Sequence, residues 1–330
     1  MKKIIISLIA VIFITVAIGS HYFSKSQKYS GPIEKIRIGN VGEYTIFNLI
    51  AKEKEYFLDN GLDATITEYT SGPASLTGLF NGETDVNIAA DFVGVRNIFD
   101  HPDLRILAQV NQHWVFQLVA KKERINSPAD LRGKKIGVTR NSAGEYFLGN
   151  FLNANNLKLE DITMVNLTPP EMITQVQDGT IDAMVVFEPH VYKLKKILGQ
   201  NFVSWDVQGN RPLSALLYTT QPYLEKNEEL LERYLLSLVQ AEKYYLANVQ
   251  EVKEFVAKKL GYDMEYVEYS WPKFKHGITL NQDLLVNMEN EARWVIRNHL
   301  TNEMKIPNYA KLIYFDALQS VKPKSINIAR

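Results

Sequence analysis

"SPADLRGKKIGVTRNSAGEYFL", residues 127–148, is the stretch whose reading decides the fold. Apolar Ile136–Val138 runs straight into Arg140-Asn141-Ser142-Ala143-Gly144, and an amphipathic segment follows. That order is strand, loop, helix. Small and polar residues where a strand gives way to a helix leave backbone amides open to an anionic or polar group. Arg140 beside them would strengthen an anion site. Ser142-x-x-Glu145 is also a capping box, in which Ser142 caps the helix start and Glu145 reaches back to the Ser142 amide. The residues leave both uses open. A nucleophile elbow would need glycine where Arg140 stands, and a nucleotide P-loop would end in Lys-Ser or Lys-Thr, so the loop reads as neither.

Working outward, the same unit occurs twice. After the opening strand and helix come "ITMVNL" (strand), "TPPE" (turn), "MITQVQDGT" (short helix) and "DAMVVF" (strand). Upstream, "IRIGNVGEYTIFNLIAKEKEYFLDNGL" is strand, loop and helix, followed by "DATITEY", "TSGPA", "SLTGLFNGE" and "DVNIAA" in the same roles. Gly82 and Gly179, and Asp85 and Asp182, lie 97 residues apart, so Gly-x-x-Asp precedes the last strand of both units. Two βαβαβ units imply an α/β protein with two mainly parallel sheets and right-handed crossovers. Ligands of such sheets sit at the strands' carboxyl ends, so two facing edges make a cleft.

The segment 104–123, strand-like on both sides of Asn111, can cross between the halves, and 211–221 can cross back. This gives one lobe of residues 35–115 plus 217–330 and a second of 116–216. Helices are expected at 223–248, 250–260, 281–299 and 309–320, with apolar spacing that covers a core. Two crossings make a hinge.

Composition narrows the function. The 330 residues balance 37 basic against 37 acidic side chains, which offers no field for nucleic acid. The chain has no cysteine, which excludes disulfides, thiol catalysis and Cys-ligated metal. The histidines show no metal-binding spacing, and no metal or other cofactor is expected. Lys2 and Lys3 precede an apolar run to Gly19, as in a secretory signal or an uncleaved anchor, and residues 20–34 read as a tether. Either way the remainder is exported, to the periplasm or its equivalent, and membrane contact follows if the segment is uncleaved.

On "SPADLRGKKIGVTRNSAGEYFL", "TSGPASLTGLFNGETDVNIAA", "VNLTPPEMITQVQDGTIDAMVVFEPH" and "YTTQPYLEKNEELLERYLLSLVQA", the chain resembles the exported substrate-binding proteins of ABC importers over roughly residues 35–320. The branch is the one handling nitrate, sulfonates, taurine and thiamine-type pyrimidines. The resemblance implies a type II periplasmic binding protein fold with one ligand between the lobes, and a permease and ATPase as partners. It also places an acidic-Pro pair, here Glu188-Pro189, in the cleft. Thiamine-pyrimidine synthases share this fold by resemblance, but they would need a cysteine cluster. An anchored ligand sensor or partner-binding module is the other alternative.

The candidate ligand contacts are the loop residues at strand ends. Glu43 and Tyr44 lie in the first such loop, and Tyr44 could stack on a ligand or pack. Ser71 and Gly72 offer a hydroxyl and close backbone approach, and Asp91 could touch ligand or cap a helix. Arg140, Asn141 and Ser142 face them from the second unit, with Trp114 at the crossing. Glu188 ends a buried-type strand, where its charge requires a partner: either a ligand donor or a nearby Lys or Arg. Glu43, Asp91, Glu145 and Glu188 outnumber Arg140, and with the aromatic residues they favour a pyrimidine-like or amine-bearing ligand over a sulfonate.

Overall fold

A computed structural model of the chain describes residues 28–329, so the signal or anchor expected at 1–19 and most of the tether lie outside the described residues. Among the described residues no helix is long and apolar enough to cross a membrane.

The duplication is realised as two sheets of matching order. The first contains β1 (Glu34–Asn40), β2 (Leu62–Glu68), β3 (Val86–Ala90), β4 (Leu104–His113), β10 (Leu213–Thr220) and β11 (Phe274–Thr279). Its order is β11-β4-β10-β3-β1-β2. The second contains β5 (Gln117–Lys121), β6 (Lys135–Val138), β7 (Thr163–Asn166), β8 (Ala183–Val186) and β9 (Phe202–Asp206), in the order β7-β6-β8-β5-β9. In both, the repeated unit supplies three parallel strands, and the crossing chain supplies the antiparallel fourth. The crossing strands are interior, not edge, strands. β10 is buried along nearly its whole length, in keeping with its apolar stretch Ala215–Tyr218.

The Gly-x-x-Asp pairs do one job twice. Gly82 and Gly179 take φ of 70° and 83°, the left-handed turn that closes a helix. Asp85 then accepts the Arg37 amide at 2.8 Å and Asp182 the Lys135 amide at 3.0 Å, each fixing the neighbouring parallel strand. A guanidinium completes each anchor: Arg37 on Asp85 at 2.5 Å and Arg124 on Asp182 at 2.9 Å.

Several boundaries differ from the sequence expectation. β4 runs past Asn111 through His113 on its partners β10 and β11, and the outgoing crossing breaks at Trp114–Phe116. The returning strand joins the first sheet from Leu213, four residues before 217. The first helix splits into Ile46–Glu53 and Tyr56–Asp59, with Glu55 at φ 58° between them. The helix Met264–Ser270 and β11 were not expected, and the segment expected as a helix over 309–320 is a 3-10 turn and a short helix, Phe315–Val321.

Gln208 binds the two crossings together. Its amide oxygen accepts the N–H groups of Val115 (2.6 Å) and Phe116 (2.7 Å), and its amide nitrogen donates to the carbonyls of His113 (3.1 Å) and Arg211 (3.2 Å). The side chain is buried, so truncation leaves backbone groups unsatisfied in a dry setting. Gln208→Ala is expected to lower unfolding free energy by about 3 kcal/mol in urea denaturation, from unpaired groups at roughly 1–3 kcal/mol each. A loss under about 0.5 kcal/mol, the level of an ordinary surface change, would remove this role.

Candidate functional site

The strand ends of both sheets meet in two adjoining cavities. The inner one is narrow, with a cavity volume of about 30 Å³, between Tyr44, Ser71 and Gly72 on one side and Thr139, Ser142 and Ala143 on the other, closed by Phe116, Val186 and Phe187. A second, of about 190 Å³, shares Tyr44 and Phe187 with it and is also bounded by Tyr69, Glu188, His190 and Tyr262. Four of the ten expected contacts, Tyr44, Ser71, Gly72 and Ser142, therefore share the inner chamber, and Glu188 borders the next. Glu43 lies in the 3-10 turn Gly42–Thr45, and its side chain is outside the described residues.

Two helices point their N-termini into the inner chamber. Gly72–Phe80 starts after Ser71, whose hydroxyl accepts the Ala74 amide at 3.4 Å, and Pro73 sets its first turn. Ala143–Ala154 starts after Ser142, whose hydroxyl accepts the Gly144 amide at 3.1 Å and donates to the Thr139 carbonyl at 2.6 Å. Ser142 is thus the cap. Glu145 does not reach the Ser142 amide: it accepts the Asn141 amide at 2.7 Å and pairs with Arg140 at 2.5 Å. Asn141 sits at φ 58°, and this turn carries its own amide to Glu145 in place of that of Ser142. Among the described residues, the amides of Gly72 and Ala143 have no acceptor, which leaves two partial positive ends directed at one space.

Tyr44 is held rigidly. Asn111 donates its side-chain amide to the Tyr44 carbonyl, and the ring lies 4.4 Å from His113 and 5.6 Å from Phe187, centroid to centroid. It packs across the interlobe boundary and lines the chamber as well. His113 and His190 are neutral: burial lowers them to about 3 and about 4.

The charged candidates are engaged elsewhere. Arg140 is committed to Glu145, and Asn141 lines neither cavity. Trp114 is 38% exposed and lies outside all the cavities, because the strand break turns it outward while its amide bonds Lys273. Asp91 is buried but points away from the chamber, accepting the amides of Phe92 (3.0 Å) and Ser214 (3.2 Å), and so ties its helix to β10. Glu188, fully buried, pairs with Lys273 of the other lobe at 2.6 Å and accepts the Tyr192 amide at 3.0 Å. Of the two partners expected for Glu188, the structure supplies the lysine. Lys196 with Asp263 (3.4 Å) and Glu265 (3.1 Å) makes a second interlobe bridge on the same side.

Sequence reasoning missed Lys273, Gln208, Phe116 and Thr139. Thr139 and Phe116 stand in stretches already singled out, the strand–loop–helix at 127–148 and the crossing at 104–123. Lys273 and Gln208 lie in segments whose meeting is set by the hinge and has no local signal.

Three comparisons bear on this geometry. The family model described as "NMT1/THI5 like" matches residues 43–252. A Brucella abortus protein provisionally named as a binding protein is 24% identical over 262 residues, 78% of this chain and 80% of its own length. A Bacillus subtilis protein provisionally named as aliphatic sulfonates-binding is 31% identical over 202 residues, 58% of each chain. Among solved structures, the alkanesulfonate-binding protein SsuA from Xanthomonas axonopodis pv. citri, bound to MOPS, superposes with a TM-score of 0.75 at 17% identity, over 86% of this chain and 99% of that one. A desulfurization enzyme, DSZB, shares the fold at a TM-score of 0.66 and 13% identity, over 88% and 99%.

Two predictions follow from the charge pairs. Glu188→Gln is expected to destabilise the ligand-free protein by about 3 kcal/mol, because it strands Lys273 in a half-buried setting. Denaturant melts check this, and an unchanged midpoint would mean the bridge contributes nothing. For Asp91, burial pushes the carboxyl up to about 7. An acid raised in the folded state contributes stability that is complete below about pH 4 and lost as pH rises toward 7. Asp91→Asn should therefore gain on wild type between pH 5 and pH 8 in parallel thermal melts. Parallel pH profiles would refute the assignment.

Proposed function

Because the chain belongs to the NMT1/THI5-like family, we infer that it is an extracytoplasmic solute-binding protein that captures a small organic anion between its lobes and delivers it to an ABC importer. The observation that carries the reading is the pair of helix N-termini, Gly72–Phe80 and Ala143–Ala154, one from each lobe, at a single chamber. An anionic head group accepts from both, so it stabilises the state in which the lobes meet. The sulfonate-binding names among the relatives support the same class of head group.

Three of the four carboxylates behind the amine or pyrimidine preference are engaged within the protein. Glu145 and Glu188 each carry a cationic partner, and Asp91 faces the sheet, so none of these carboxylates remains to receive an ammonium. The fold also accommodates an enzyme. Here, among the described residues, the inner chamber is lined by no carboxylate, histidine, lysine or arginine, and this supports capture over catalysis.

Differential scanning fluorimetry with methanesulfonate, taurine, nitrate and an aminopyrimidine tests the class. A bound anion at about 100 times its Kd should add roughly 2.7 kcal/mol of stability. Ser71→Ala should weaken a binding anion about fivefold, the value of one neutral hydrogen bond of about 1 kcal/mol. Binding of the aminopyrimidine with no response to any anion would overturn the reading.

A further inference from the structure

A third cavity, of about 70 Å³, shares no lining residue with the chamber or the cavity beside it. The helix Ala143–Ala154 of the second lobe contributes Tyr146 and Phe147 to it. The helix Gln282–Arg297 of the first lobe contributes Asn287, Asn290 and Glu291, and the returning crossing adds Arg211. Tyr146 joins the lobes there: its ring stacks on Phe92 at 5.1 Å and meets Trp294 edge-on at 5.4 Å. Two groups lining this space lack a charged partner. Glu291 is 5% exposed, and its Oε2 accepts no hydrogen bond among the described residues. A buried carboxyl left so is costly and calls for an occupant. Arg211 is exposed and donates one N–H to the Tyr146 hydroxyl at 3.0 Å. Among the described residues, the acid and the base line one cavity without pairing across it.

We propose that this cavity is a second binding site, separate from the chamber, for a compact zwitterion: a small α-amino acid with its ammonium at Glu291 and its carboxylate at Arg211. Exposure sets that direction, since Glu291 forms the floor and Arg211 the mouth. A simple cation would meet Arg211 on entry, and a simple anion would meet Glu291 inside. A zwitterion satisfies both at once, and the Asn287 amide adds a donor and an acceptor beside them. Empty, the Glu291 carboxyl is held well above its ordinary range by burial and by Asp91, and an ammonium beside it restores the charged form. The space is little more than the share of two water molecules at about 30 Å³ each, so glycine and alanine are the size class. One helix carries Ala143 at the chamber and Tyr146 at this site. Both solutes therefore favour the state in which the lobes meet, and each tightens the other by the same factor.

The test is calorimetric titration of the full chain with glycine, L-alanine, acetate, methylammonium and L-tryptophan. Glycine and L-alanine should bind at one site per chain, L-tryptophan should not bind, and acetate and methylammonium should each be weaker by about tenfold or more, the value of one charge-assisted hydrogen bond. Glu291→Gln and Arg211→Met should each weaken glycine by about the same factor, with the ligand-free melting temperature as the folding control. Arg211 is exposed, so its variant decides the matter if the Glu291 variant does not fold. Saturating methanesulfonate should leave glycine bound. No heat from glycine or L-alanine up to about 10 mM, where a millimolar site is filled, would overturn the proposal. Acetate as tight as glycine, glycine affinity unchanged in both variants, or displacement of glycine by methanesulfonate would overturn it as well. The response to methanesulfonate alone is read separately, so this site and the organic-anion reading of the chamber fail independently.

Discussion

The molecule depends on the four hydrogen bonds of Gln208. The chain leaves the first sheet after His113 and returns to it at Leu213, and these residues are paired neighbours in the β4–β10 ladder. Where the outgoing strand breaks, the amides of Val115 and Phe116 lose their ladder partners, and Gln208 supplies an acceptor for both. It also donates to each crossing. With that knot tied, β5 and β10 must enter opposite sheets as interior antiparallel strands. The parallel strands of both sheets then end toward a common cleft, and the helices that follow them start there. The position of the candidate site follows from this topology before any side chain of the site is considered.

Electrostatics then selects what the cleft can hold. A low-dielectric site cannot carry unpaired charge, and three acidic groups of the described residues near it are accounted for. Glu145 has Arg140, Glu188 has Lys273, and Asp91 is driven toward its neutral form by burial. The donors left over are backbone amides, which cannot be paired internally at a helix start. They suit a compact anion, and they carry no net charge that would require a counterion when the cleft is open. The Glu188–Lys273 bridge adds a mechanical element. It joins the two sheets' halves beside the crossings, with Lys273 also accepting the Trp114 amide through its carbonyl.

The repeated architecture was legible because it is written in local chemistry. Gly82 and Gly179 end helices in a conformation that other residues resist, and Asp85 and Asp182 anchor strands three residues later. The same holds for Ser71, Pro73 and Ser142, whose roles as helix starters are set within four residues. The pairing of distant segments was not legible. Lys273 lies 85 positions from Glu188, so the sequence leaves Glu188 open between a ligand donor and a basic partner, and counting its charge among the cleft carboxylates tilts the expected chemistry toward amines. Nothing in the sequence near Asn111 shows that its side chain holds Tyr44 while its backbone continues β4. Gln208 lies in a polar turn that carries no motif. In each case the missing information was tertiary.

The central claim is that one anionic group is held by amides of both lobes. Diffraction from a crystal of the protein with methanesulfonate bound measures this directly, since the anomalous signal of sulfur locates the head group. The account predicts the sulfonate oxygens within about 3 Å of the Gly72 and Ala143 nitrogens, the ordinary hydrogen-bond distance. A sulfonate bonded to one lobe alone would contradict it.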